Sequence, residues 1–523
     1  MTESAHRLVS GLAERFQELE TEFHRAYWDT QVEAGSATEQ RRAELELELR
    51  RIKGDPAALE SVLAALREPN HDAVLSRQLE VLRLSLTGNQ MGETERAEMV
   101  ALSTEVEGEF ASYRPTVDGH RLNDNEIDDV LRTSNDEDER ERVWRASKEV
   151  GGLVAERVRE LVRLRNRAAH NLGFADFYRM ELELQELPEE WLFEILGELE
   201  DLTQEPFAGW KEDLDRGLKQ RFGVEDLFPW HYADPFFQMP PLEGRVSLDE
   251  QLAEGDARTL ATKTFAAWDI DLTGVMEASD LYPREKKCQH AFCLDVDRAG
   301  DVRILANVVP GERWIDVMLH ESGHAAYDVS IDPDLPYLLR RPAHTFVTEA
   351  IALMSGRLVR DPQWLTTFAG LSSESVAGLS DRLRQASAAQ MMLFARWGLV
   401  MVHFERDLYA DPEIDLDARW WELVERFQLV SAPPNPQPGG WASKIHLAVA
   451  PVYYHNYLLG DMLASQLLAT TKREFGGLVG VREAGAHLLE TVFRPGASKR
   501  WDAIVEGATG GSLKAADLAS ALS

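Results

Sequence analysis

Cysteine is almost absent: Cys288 and Cys293 are the two thiols in 523 residues. So few thiols exclude a disulfide framework. Two cysteines five apart along a strand-like stretch point to opposite faces, so both read as free thiols of a reducing compartment. Long apolar runs are missing too. The longest, Ala388 to Phe404, is broken by Gln390, Arg396 and His403, and is too short and too polar to span a bilayer. The first residues, Met1 to Arg7, have no basic region followed by an apolar one, so no signal peptide is expected. Basic residues are outnumbered, 56 Lys+Arg against 90 Asp+Glu, for a net charge of −34. Such a surface repels phosphate backbones and anionic lipids, which argues against nucleic-acid or membrane partners and for a cytoplasmic protein. What is present, 44% hydrophobic and 28% charged residues, excludes disorder and collagen and provides for a large core.

Helical periodicity dominates the chain. Leu8, Leu12, Phe16, Leu19 and Phe23 recur at steps of three and four and predict an amphipathic first helix. Arg41 to Lys53 predicts a second, stopped by Gly54-Asp55-Pro56. Ala57–Leu66, Asp72–Leu86, Glu93–Tyr113 and Val154–Asn171 continue the pattern. Strands are few: Gln289–Val296, a turn at Asp297–Asp301, and Val302–Val309 predict one hairpin. The Pro-rich stretches Leu227–Leu242 and Ala432–Gly440 read as loops within one fold, not as linkers. The Pro229–Tyr232 run is expected to be structural. The expected fold is mainly α: a single large helical domain, of two lobes around a deep cleft, with a small hairpin near the motif described next.

That motif is His320-Glu321-Ser322-Gly323-His324, an H-E-x-x-H run inside a helical pattern from Trp314 to Tyr327. Positions i and i+4 share a helix face, so both imidazoles can reach one ion. Glu321, one step around, suits a base acting on a water beside that ion. Gly323 costs helix propensity, and its smallness lets another element pack close. A catalytic zinc site needs a third protein ligand. Glu349 is the one acid in an apolar helical stretch, Phe346–Leu353, and lies 25 residues after His324. A carboxylate on such a face is costly to bury unless it is paired or binds metal. Two His and one Glu form the ligand set of thermolysin-type zinc peptidases.

Around these residues the chain resembles the angiotensin-converting-enzyme (peptidyl-dipeptidase A) family of zinc metallopeptidases, with thimet oligopeptidase and oligoendopeptidase F as relatives. The resemblance rests on Leu335–Arg341 leading to Glu349-Ala350-Ile351, on Trp420-Trp421-Glu422-Leu423 and Phe427-Gln428, and on Lys444-Ile445-His446. It continues through Pro451–Tyr457, Gln289-His290-Ala291 and, near the start, Tyr27-Trp28-Asp29-Thr30. It implies one gluzincin domain over residues 1–523, with lid helices over about 1–110 and a zinc and substrate-binding core over about 285–460. It also implies one Zn²⁺ per chain and a peptidase that releases dipeptides from the free C-terminus of short peptides. Tyr457 and His446 then stabilise the oxyanion, Lys444 and Tyr454 hold the C-terminal carboxylate, and His290 and Ala291 bind substrate backbone. The family's chloride arginines are replaced by Asn456 and Val424, so chloride activation is not expected. Its acid four residues past the third ligand is Leu353, so the support of a zinc histidine comes from elsewhere or is weaker. Four alternatives stay open: an oligoendopeptidase, a carboxypeptidase without recognition of the free C-terminus, a hydrolase of a non-peptide amide, and a non-catalytic zinc-bound scaffold.

Overall fold

The computed structural model describes residues 2–33, 35–69, 71–241 and 246–522, so the last residue of the first Pro-rich loop, Leu242, lies outside them. Among the described residues the chain is mainly α, with 22 α-helices and two two-stranded antiparallel sheets. The predicted first helix is Thr2–Val32, and its periodic residues Leu12 and Phe16 enter a core with Val62, Leu79, Leu82 and Leu339. The second runs from Ser36 to Lys53. Its stop signal also starts the next helix, Pro56–Leu66: Pro56 takes the first turn, where its missing N–H costs nothing, and the Asp55 side chain accepts from the Ala57 N–H. The Val154–Asn171 pattern is the C-terminal half of a longer helix, Glu137–Asn171, capped by Asp136. The apolar stretch Ala388–Phe404 lies within the helix Ser380–Ala410, and no described helix is long and apolar enough to cross a membrane.

The chain forms two compact units, each assembled from separated stretches. One comprises Met1–Gln90, Ser247–Leu383 and Leu459–Asp517; the other comprises Met91–Val246, Arg384–Leu458 and Leu518–Ser523. The H-E-x-x-H run and Glu349 belong to the first unit, and Lys444 to Tyr457 to the second. The Pro229–Tyr232 run is fixed by packing and hydrogen bonds, and Pro229 also lines a cavity of this unit. Trp230 packs with Trp144, Val143 and Leu131, and the Arg140 guanidinium donates to the Trp230 and Tyr232 carbonyls at 2.8 and 3.0 Å.

The hairpin is real but shorter than expected, pairing Phe292–Asp295 with Val302–Leu305. His290 and Ala291, expected in its first strand, precede the ladder. Past Leu305 the second strand is held from its other edge, where the Ala306 and Val308 N–H groups donate to the Asp280 and Leu281 carbonyls, and the Asn307 side chain donates to the Cys288 carbonyl.

The motif helix, Glu312–Ser330, packs along a second helix, Thr345–Arg357. At their contact a Cβ added to Gly323 would stand 2.8 Å from Ala352 Cα and 3.1 Å from the Ile351 carbonyl oxygen, both backbone atoms that cannot swing aside. Gly323→Ala is expected to destabilise the chain, because overpacking of ~1–3 kcal/mol exceeds the ~1 kcal/mol that alanine gains in helix propensity. Thermal unfolding checks this, and an unchanged or raised Tm would show that the approach has slack.

Candidate active site

Each element of the first unit presents its residues for a local reason. The motif helix is tied at its start by Asp249, which accepts from the Glu312 N–H at 2.9 Å, while Arg360 donates to the Glu312 carboxylate at 2.6 Å. Ile315, Met318, Leu319, Ala325, Ala326 and Tyr327 bury its apolar side and leave His320 and His324 on one face, rings 5.1 Å apart. The second helix starts at the His344 cap, which accepts from the Phe346 N–H, and Phe346, Val347, Ala350 and Ile351 fix its rotation.

That rotation brings Glu349 to the histidines. One donor atom each from His320, His324 and Glu349 lies within 4.8 Å of the others, with His320 Nε2 4.0 Å from Glu349 Oε2. A tetrahedral ion with ligands at about 2.0–2.1 Å spaces its donor atoms by roughly 3.4 Å, so the trio needs only a slight closure to fit zinc. Burial pushes the histidines down, to about 4 for His320 and about 3 for His324, so both are neutral imidazoles with a lone pair to give. Thr348, which the sequence reading missed, supports one of them: its Oγ1 lies 2.7 Å from His324 Nδ1. With Nδ1 donating to the hydroxyl, Nε2 is left for metal. Leu353 thus stands where the family has an acid, and a hydroxyl one residue before Glu349 supplies the support.

Glu321 is buried, at 8% exposure. Burial first, then the neighbouring Glu349 carboxylate, raises its pKa to about 8, against the pull of the Cys293 backbone N–H. A cation held by the trio opposes that rise by favouring the charged carboxylate. Cys293 and Cys288 are free thiols, as expected, and burial pushes the Cys293 thiol well up. His290 is exposed and Ala291 half-buried.

The second unit gathers the other predicted residues. Lys444 donates to Gln238 Oε1 at 3.1 Å and lies 5.1 and 5.3 Å from the Phe236 and Trp397 ring centroids; burial lowers its pKa to about 8. Trp397 Nε1 donates to the Tyr454 hydroxyl at 3.1 Å, and burial raises that phenol to about 12. The Tyr454 ring is 5.3 Å from His446 and 5.5 Å from Tyr457. His446 is pushed down to about 4 by burial and then by Lys444, so it is a neutral imidazole. Val424 lines a cavity walled by Trp144, Trp397, Trp420 and Trp421. Asn456 is buried and donates to Gln185 Oε1 at 3.2 Å.

The profile of Peptidase family M3 matches residues 130–523, zinc-type motif and Glu349 included. The chain belongs to Peptidase family M3. Residues 1–206 also match the profile of angiotensin-converting enzyme, a stretch that contains the first helices. No curated protein matches the chain. Membership makes this M3 protein a zinc metallopeptidase acting on peptides.

Two substitutions test the ligand trio of this peptidase. Glu349→Ala is expected to lose zinc and activity together, because two protein ligands hold the ion far less tightly than three. Thr348→Val is expected to weaken zinc binding roughly 10–100-fold by freeing the His324 ring. Metal analysis after dialysis against a graded chelator reads both, and full retention of zinc by Glu349→Ala would remove Glu349 from the ligand set.

Proposed function

We propose that this M3 peptidase hydrolyses short peptides close to a free C-terminus, releasing dipeptides, with one zinc held by His320, His324 and Glu349. Zinc in such a site supplies Lewis acidity, polarising the scissile carbonyl and lowering the pKa of a coordinated water towards ~7. Glu321 takes the proton of the attacking water and passes it to the leaving amine. Its place one residue after His320 puts it beside the trio, and its burial keeps competing solvent from the proton. Tyr457 donates its hydroxyl to the developing oxyanion. His446, neutral at pH 7, donates through a ring N–H. One such donor is commonly worth ~10²–10³ in rate. Lys444 and Tyr454 receive the terminal carboxylate, and His290 and Ala291, just ahead of the hairpin, bind substrate backbone.

The single observation that carries the hydrolytic reading is the gathering of two neutral imidazoles and a carboxylate within 4.8 Å beside the buried Glu321. C-terminal recognition is supported by Lys444: its ammonium is held among Phe236, Trp397 and Gln238, where its hydrogen bond goes to a neutral amide oxygen, and a peptide carboxylate suits it.

Glu321→Gln should retain zinc and lose nearly all turnover, since an amide cannot shuttle the proton; peptide hydrolysis at wild-type rate would dismiss Glu321 as the base. Tyr457→Phe should lower kcat far more than it raises KM, because its hydroxyl acts on charge present only in the transition state. An effect confined to KM would make Tyr457 a binding residue.

A Lys–carboxylate contact in a dry site is worth ~1.5–3 kcal/mol, so amidating the substrate C-terminus should cost about 10–100-fold in kcat/KM. Lys444→Ala should reduce that difference, and the activity of the unsubstituted enzyme should be unchanged in chloride-free buffer. Equal rates on acid and amide peptides would leave the oligoendopeptidase reading standing.

A further inference from the structure

The stretch that carries His446, Tyr454 and Tyr457 is irregular. A short helix, His446–Val449, ends at Ala450, and the next helix starts only at His455. Between them Val452 has φ +53, in the left-handed region that a β-branched side chain occupies only when its surroundings impose it. Val452 is also buried, so its peptide groups need partners from the protein.

Three side chains of the same unit provide them. Glu405 accepts from the Val452 N–H at 2.8 Å. Gln185 donates to the Val452 carbonyl at 3.2 Å, and its Oε1 lies 3.0 Å from His455 Nε2 and accepts from Asn456 Nδ2 at 3.2 Å. Arg165 donates to the Leu447 and Ala448 carbonyls at 3.3 and 2.6 Å, and to the Tyr409 hydroxyl at 3.0 Å. Glu405 and Arg165 are only 3% and 7% exposed. Burying two ionisable groups is costly, and both direct hydrogen bonds at the backbone of this one segment. Both sides of Val452, the carbonyls before it and the first turn of the tyrosine helix after it are therefore held at once.

We propose that Arg165, Gln185 and Glu405 are positioning residues that set the direction of the Tyr457 hydroxyl by clamping the backbone from Leu447 to Asn456. The proposal rests on the reading of Tyr457 as an oxyanion donor. Gln185 is the sharpest of the three, since it alone joins the strained residue to the helix start. Asn456, at the position of a family chloride ligand, is here a brace bonded to Gln185, so a hydrogen bond within the protein occupies that side chain.

The test is a double-variant cycle on the zinc-loaded full chain, using Gln185→Leu, Glu405→Leu and Tyr457→Phe, with Glu405→Gln as the conservative control. Gln185→Leu and Glu405→Leu are expected to lower kcat 10–100-fold, with KM within about threefold and zinc content unchanged. Glu405→Gln, which keeps an oxygen for the Val452 N–H, should recover at least half of the wild-type kcat. In the Tyr457→Phe background Gln185→Leu should cost less than threefold more, because a misplaced hydroxyl and a missing one are the same loss. If Glu405→Leu does not fold, the Gln185→Leu cycle alone decides. Losses that multiply independently, or a wild-type kcat for Gln185→Leu, would overturn the positioning role while leaving Tyr457 as donor. A wild-type kcat for Tyr457→Phe would overturn the donor reading and this proposal together.

Discussion

Because Gly323 has no side chain, the Ile351–Ala352 backbone of one helix can lie directly against the motif helix, and the positions of Glu349 and Thr348 follow from that contact. A second small residue repeats the device a turn further along: a Cβ on Gly356 would meet Asp316 Oδ1 at 2.6 Å and His320 Cβ at 3.6 Å. With both glycines in place, a residue on one helix reaches two on the other across a span that three short side chains can bridge. Arg357, at the end of the second helix, is anchored by Asp461 at 2.6 Å and Ser465 at 3.0 Å, so this helix is braced from its far side as well.

The same close packing sets the electrostatics. Glu321 is buried and His320 and His324 are half-buried, which disfavours imidazolium and carboxylate alike, and leaves the histidines neutral and Glu321 easily protonated. A dication reverses the balance for the carboxylates and uses the neutral imidazoles as they stand. The site is therefore matched to a cation, although the chain as a whole, at −34, draws cations everywhere on its surface. What distinguishes the trio from that diffuse acidity is convergence and partial burial, not charge.

Much of this was legible in the sequence because helical spacing is a strong constraint. His320 and His324 had to share a face, and a single acid in an apolar helix had to have a buried purpose. Gly323 could be read as a contact point because glycine inside a helix costs stability. The support from Thr348 was not legible: a threonine in a helix is unremarkable until the rotation of the helix about its axis is known, and the Ile351–Ala352 contact sets that rotation. The hairpin was overextended because alternation of residue types reports which side chains are buried, not where the backbone ladder between two strands stops. The division into interleaved units was also hidden, since the chain passes between them within continuous helices such as Ser380–Ala410, with no linker composition to mark the crossing.

The central claim is that zinc is bound by two imidazole nitrogens and one carboxylate drawn from two close-packed helices. X-ray absorption at the zinc edge of the loaded chain tests it without recourse to activity. The account predicts a shell of nitrogen and oxygen at about 2.0–2.1 Å, with the outer-shell signature of two imidazoles and no sulfur. A zinc–sulfur distance near 2.3 Å, which would bring in Cys293 or Cys288, or the signature of more than two imidazoles, would contradict it.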